Sequence, residues 1–317
     1  MKTKRYLILA LCLILCGMVI FAVTMSCIGW DFTKISIFRT IEKEYSVTNE
    51  FTSVKIIDSS VDVTVLPSDN GMAYVVSSTQ ENIDYNVCVK DNILTVESVD
   101  NRPWYDMIFS GKSTLTVYVP VGDYEQISVD LRTGDLEIKG DLSFNRVTVE
   151  SSTGDTRLSI PNAKDVNIKT STGNVRIDEC TSSLIAVFVS TGKVYISDVI
   201  CDGDIVIAVS TGDTEVENVT CTNFSSNGTT GDLYLENVIA SLNFNILRDT
   251  GDVRFDCCDA SEIKVKTTTG NVSGSLLSEK VFLIDHSTGK VDVPECVTGG
   301  KCSIETTTGD IEIVISK

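Results

Sequence analysis

The sequence predicts an all-β chain: a single-stack β-solenoid (β-helix) of about ten rungs, each 19–20 residues long, behind one N-terminal transmembrane helix. Three observations carry that reading. The dipeptide Thr-Gly recurs at a nearly fixed period. The residues on either side of it alternate between apolar and polar. A long uncharged run opens the chain.

The repeat comes first. Glycine follows threonine at Gly134, Gly154, Gly173, Gly192, Gly212, Gly231, Gly251, Gly270, Gly289 and Gly309, always 19 or 20 residues apart. Such a unit cannot bury its apolar face alone, but a stack of units can. Aligned on the glycine, position −7 holds Ile127, Val147, Val166 and their equivalents, and position −5 holds Val129, Val149 and Ile168. Position +2 holds Leu136, Val175 and Val194, and position +4 holds Ile138, Leu158 and Ile177. The residues between are mostly charged or hydroxylic, so the period is two and the strands are half-buried. A further apolar column at +7 runs Cys180, Val199, Val219, Val238, Cys258, Leu277 and Cys296. Each strand is expected to pair with its equivalent in the next rung, about 4.8 Å away.

Glycine suits the corner because it adopts positive φ without steric cost. The residue after it is usually Asp or Asn, interrupted by Lys193 and Lys290. Aspartate bonding its own turn backbone is the plain explanation. A calcium ladder is the alternative, but the calcium-binding β-helix motif repeats every nine residues and this one does not.

The opening run, Tyr6 to Ile28, is 23 residues without a charge. A membrane helix needs about 20. Lys2, Lys4 and Arg5 precede it, so the first five residues are expected in the cytoplasm and the remainder outside. A cleaved signal peptide would have a shorter apolar core and a small-residue cleavage site. A lipoprotein, with Cys27 after Ser26, is the third option. The chain then divides into a cytoplasmic tail (1–5), an anchor (6–28), a linker (29–45), an irregular β cap with the first rungs (46–120) and the Thr-Gly solenoid (121–317). In the cap segment, Trp104 and Tyr105 are expected to fill the core. The last repeat, ending Ile311 to Lys317, has no cap after it, which leaves an edge open to end-to-end association.

Composition narrows the function. Beyond the apolar run stand 23 basic and 44 acidic residues. That surface repels phosphate backbones and disfavours nucleic acid. A cationic partner or divalent metal would fit it, as would plain solubility. The single histidine, His286, has no fixed nucleophile partner and is expected to be core or corner filler. No phosphate-binding loop, dinucleotide fingerprint or H-E-x-x-H motif occurs. No catalytic residue, cofactor site or metal site is therefore assigned. Of eleven cysteines, Cys180, Cys258, Cys296 and Cys302 replace aliphatic residues and read as small buried apolar groups. Cys201 and Cys221 each lie nine residues after a corner glycine on adjacent rungs, a spacing that permits a disulfide. The rung from Asn223 to Thr230 is the least regular, because Ser226 and Gly228 replace apolar residues; it reads as local slack.

The anchor, the entry through Phe51, Val61-Asp62-Val63 and Pro67-Ser68-Asp69, and the repeated Ser-Thr-Gly-Asp corner together resemble the bacterial DUF4097 family, whose members carry an adhesin label. The resemblance covers nearly the whole chain. It implies a β-solenoid on the bacterial surface and supplies no active-site residues. The neighbourhoods of such genes, with small membrane proteins and regulators, imply an envelope-stress or sensing role as an alternative.

The expectation is a non-enzymatic, membrane-anchored surface protein whose long faces bind an envelope protein or polymer. A sensor acting through a membrane partner is the second reading. A polysaccharide-active enzyme is the third, and it would need an acidic cleft that breaks the repeat.

Overall fold

The structure, a computed structural model, describes residues 2–27, 29–30, 40–101 and 113–316. Trp104 and Tyr105 lie outside the described residues. Helix α1 spans Lys2–Cys27 and contains an 18-residue stretch, Ala10–Cys27, of mean hydropathy 2.5. It is long and apolar enough to cross a membrane.

The remainder is one 23-stranded sheet wound on itself. The first strands are β1 (Thr40–Val47), β2 (Ser53–Asp58), β3 (Asp62–Pro67), β4 (Ala73–Gln80), β5 (Ile83–Lys90), β6 (Ile93–Asp100) and β7 (Thr114–Val119). Strand β1 begins inside the stretch expected as linker. The regular rungs follow as β8 (Asp123–Thr133) with β9 (Leu136–Lys139), β10 (Ser143–Thr153) with β11 (Thr156–Ser159), and β12 (Asn162–Thr172) with β13 (Val175–Asp178). Next come β14 (Thr181–Thr191), β15 (Val194–Thr211), β16 (Thr214–Thr230), β17 (Leu233–Thr250) and β18 (Val253–Thr269). The chain ends with β19 (Val272–Leu276), β20 (Lys280–Thr288), β21 (Val291–Asp292), β22 (Gly300–Thr308) and β23 (Ile311–Ile315).

Parallel pairing runs in register from rung to rung, Val147 opposite Ile127 and Val166, Leu158 opposite Ile138 and Ile177. The alternation therefore becomes a core. Ile205, Ile207 and Val209 point inward from the arm before Gly212, and Val194 and Ile196 from the arm after Gly192. Val199 and Cys201 point inward from a third arm. Each such aliphatic residue, wholly buried, contributes about 1.5–3 kcal/mol. Two inward columns had escaped the sequence pattern because many of their residues are small or polar, which breaks the apolar run. At −3 stand Ser151, Thr170, Val189 and Arg248; at +9 stand Ala163, Ser182, Cys201, Cys221 and Ala240.

A second corner, six residues after the glycine, puts non-glycine residues at positive φ: Glu179, Asp198, Asn218, Asn237 and Cys257. Asn and Asp tolerate this region better than most residues. Cys257 thus stands at a corner.

Both ends depart from expectation. The segment before the repeats is in register after all: β2 pairs with β8 and with β6, and β3 pairs with β9 and with β7, all parallel. These strands make two further rungs without a Thr-Gly corner. Antiparallel strands then close that end, β5 on β6, β4 on β7 and β1 on β4. Tyr85 anchors the cap, its hydroxyl donating to Asp58 Oδ2 at 2.9 Å.

At the other end the last two repeats are exchanged. Strands β22 and β23, from the final repeat, pair directly with β18 and β19. Among the described residues, strands β20 and β21 pair only with β22 and β23. The free edge is therefore the rung of Gly289 and not the chain's last strand. Lys280, 2% exposed, holds the exchange in place: its Nζ lies 2.6 Å from Asp259 Oδ1, reaching past Gly300 of the inserted rung. One column slips in this region. Leu276 is buried where Leu277 had been expected, because the ladder shifts register between Phe255 and Cys258. Cys296 is only half-buried, since β21 ends at Asp292, before the third arm.

Candidate functional site

The corner column is the most regular surface of the molecule. Its glycines have φ between +131° and +156°. A Cβ on Gly212 would stand 2.0 Å from the carbonyl oxygen of Gly192, and the same contact recurs at each of the ten corners. Glycine is thus required twice over, by backbone conformation and by stacking distance.

The residue after each glycine does not bond its own turn, as had been expected, but the next rung. Asp135 Oδ1 accepts from Asp155 N at 2.8 Å, Asp155 from Asn174 N at 2.8 Å, and Asn174 from Lys193 N at 2.9 Å. Beyond a break, Asp213 accepts from Asp232, Asp232 from Asp252, Asp252 from Asn271, Asn271 from Asp310, and Asp310 from Lys290. The break is at Lys193, which has no side-chain acceptor; its Nζ instead pairs with Asp213 Oδ2 at 2.7 Å. That bond, joined by the Asp232 N–H, holds the Asp213 carboxyl below the usual range. Lys290 ends the column on the outermost rung, where no further N–H needs an acceptor. The carboxylates thus serve backbone donors, and among the described residues no group of three His, Cys, Asp or Glu side chains is arranged to hold a metal.

Beside this column runs a groove of about 660 Å³, lined by Glu137, Arg157, Asn174, Arg176, Tyr195 and Glu215 among others. Arg176 lies over the Tyr195 ring at 4.0 Å and bonds Asp178 Oδ2 at 2.7 Å. The Tyr195 hydroxyl donates to Glu217 Oε2 at 2.6 Å, and chiefly that bond raises its pKa. The groove draws successive side chains from successive rungs. Sequence reasoning missed it because its residues are ordinary polar ones; only the +3 position shared by Glu137, Arg157, Arg176, Tyr195 and Glu215 would have marked them.

Inside the stack, Arg248 is 1% exposed. Its Nη2 donates to Ser226 Oγ at 2.8 Å and Thr214 Oγ1 at 3.4 Å. Ser226 and Gly228 are therefore not slack: they make room for this side chain, and a Cβ on Gly228 would meet Arg248 Nη1 at 2.0 Å. Burial lowers the guanidinium pKa to about 10, with Asp232 opposing the shift, so the group remains charged at neutral pH.

His286 is exposed, because among the described residues its rung is the outermost and no strand covers its inward column. Cys180, Cys258 and Cys302 are buried free thiols, as their column predicts. Cys201 and Cys221 face the core on adjacent rungs, both unbridged, and burial pushes Cys221 up to about 12.

No curated protein matches the chain at a significant level. A crystal structure titled putative adhesin from Parabacteroides distasonis is 13% identical, with a TM-score of 0.49, over 88% of this chain and 98% of that one. One titled putative lipid binding protein from the same organism is 11% identical, with a TM-score of 0.47, over 87% and 98%. A putative adhesin from Bacteroides fragilis is 14% identical, with a TM-score of 0.44, over 87% and 97%. The sequence profile of Toastrack DUF4097 matches residues 51–207 and 185–317, which together span the whole solenoid, and the chain belongs to that family.

Proposed function

We propose that the chain is a non-enzymatic binding scaffold of the bacterial cell surface. Helix α1 is its retained anchor, with Lys2, Lys4 and Arg5 on the cytoplasmic side and the solenoid outside. Its ligand is an envelope or host polymer with a repeating unit, a glycan foremost. The observation that carries this is the Tyr195 groove. Planar and hydrogen-bonding groups from Glu137, Arg157, Arg176, Tyr195 and Glu215 stand one rung apart, about 4.8 Å. A polymer of matching pitch would meet the same chemistry at each step. Glycan-array binding and capture from envelope extract, with the detergent-solubilised chain, test it. Tyr195→Ala should abolish capture; undiminished capture would sink the groove as the contact surface.

Signalling through a membrane partner of helix α1 is the alternative reading. Altered stress transcription on deletion, without loss of attachment, would favour it. Self-association has its own support in the unpaired edge of β20 and β21, where Leu283 is 51% exposed. Leu283→Lys should then leave the chain monomeric in sedimentation.

A further inference from the structure

We infer that a second copy of this chain docks on the open edge of β20 and β21, tail to tail about a two-fold axis, so that assembly closes at a dimer. The inference deepens the self-association proposed above and rests on it.

The edge is unfinished in three respects. Among the described residues, β20 and β21 are hydrogen-bonded on one side only, so the backbone groups of their outer side meet no strand. The core is open there as well. Phe282, Ile284 and Val291 are only half-buried, whereas the residues paired with them one rung inside, Cys302, Ile304 and Ile311, are each 1% exposed. Finally, sheet edges are commonly guarded by an outward lysine, and here that guard is withdrawn. Lys280 is turned in against Asp259, which leaves Val281, Phe282, Leu283 and Ile284 as an uncharged run along the edge.

The far end of the rod selects the partner. A head-to-tail filament would need a free edge at the cap. The cap's edge strands, β1 and β5, are instead tied to each other: Lys43 pairs with Asp84, and the Tyr85 N–H donates to the Tyr45 hydroxyl at 3.4 Å. Glu42, Lys43 and Glu44 also put charge along β1. The complementary surface is then the same edge on another copy, and a surface that pairs with itself gives a closed, isologous contact. Antiparallel pairing of β20 with its copy lays one open core over the other, because opposite residues in such a pair share a face. The register centred on Leu283 sets Phe282 against Ile284 of the second copy and Leu283 against its own equivalent. It also keeps the two Asp285 carboxylates four residues apart along the strand, about 14 Å.

Sedimentation and cysteine cross-linking of the detergent-solubilised full chain test this together. Sedimentation should show a monomer–dimer equilibrium with no larger species. Under mild oxidation, Leu283→Cys should form a covalent dimer beyond the background of the native cysteines, because residues directly opposite lie within disulfide reach. Asp285→Cys, on the same strand and equally accessible, should stay at the wild-type background. A dimer in sedimentation without the Leu283→Cys bridge, or with equal bridging at both positions, overturns the inference and leaves self-association standing. Species that lengthen with concentration overturn the closure. A monomer at every concentration overturns both readings.

Discussion

Replacing Gly212 by alanine tests the stacking directly. The new Cβ would lie 2.0 Å from Gly192 O and 2.7 Å from its carbonyl carbon, both rigid backbone atoms. The corner must therefore open by roughly 1 Å, given contact distances near 3 Å. Three ladder bonds flank it: Gly192 N to Thr211 O, Gly212 N to Thr230 O and Val194 N to Asp213 O, all 2.9–3.0 Å. Weakening two of them costs about 2 kcal/mol. Holding a non-glycine residue at φ +136° costs another 1–2 kcal/mol. The sum, about 3–4 kcal/mol, lowers the melting temperature by about 6–16 °C in a domain of this size. Valine should be only slightly worse, because the clash belongs to the Cβ. Gly122, where nothing lies within 4 Å of the new atom, is the control and should tolerate alanine within about 0.5 kcal/mol. Circular dichroism melts measure all three. Gly212→Ala within about 1 °C of wild type would refute the twofold requirement for glycine.

Asp213 has a depressed pKa, so its contribution to stability is present above its unfolded value of 3.8 and is lost as pH falls through the lower folded one. Acid titration of stability in Lys193→Met should lose that component, and an unchanged acid limb would contradict the assignment. Chelator should leave the melting temperature unchanged, since the Asp oxygens accept backbone N–H groups; a large drop would reinstate a calcium ladder. Cys257→Asn should stabilise by about 0.5–1 kcal/mol, because Asn accepts the left-handed corner more readily; denaturant unfolding measures it, and a loss of stability would count against the corner assignment. Cys201 and Cys221 should react with iodoacetamide only after unfolding, and rapid labelling of the native chain would place them at the surface.

Much of this was legible beforehand. The ten glycines, the alternation and the opening run specify rung length, core columns and helix, because each reflects a local constraint repeated many times. The order of the rungs was not legible. Repeats with the same pattern fit the same slots, and the exchange of the last two depends on Lys280 reaching Asp259 past Gly300, a contact between distant positions. The register of β2 and β3 was hidden because their corner lacks Thr-Gly; Val61 takes the glycine's place beneath Gly134. Ser226 and Gly228 were visible as gaps, but what fills them stands a full repeat later, at Arg248.

The exchanged C-terminal rungs bear on how the molecule is made. A growing chain can add rungs in order as far as β19, each new repeat docking on the one before it. Residues 280–292 then have no permanent place until 300–315 have emerged and slipped beneath them. Completion of the rod is therefore tied to the arrival of residues 300–315. A chain cut short after residue 299 would lay its ninth repeat directly on the eighth and finish as a shorter rod. Residues 300–315 act as a keystone, inserted behind the segment that precedes them.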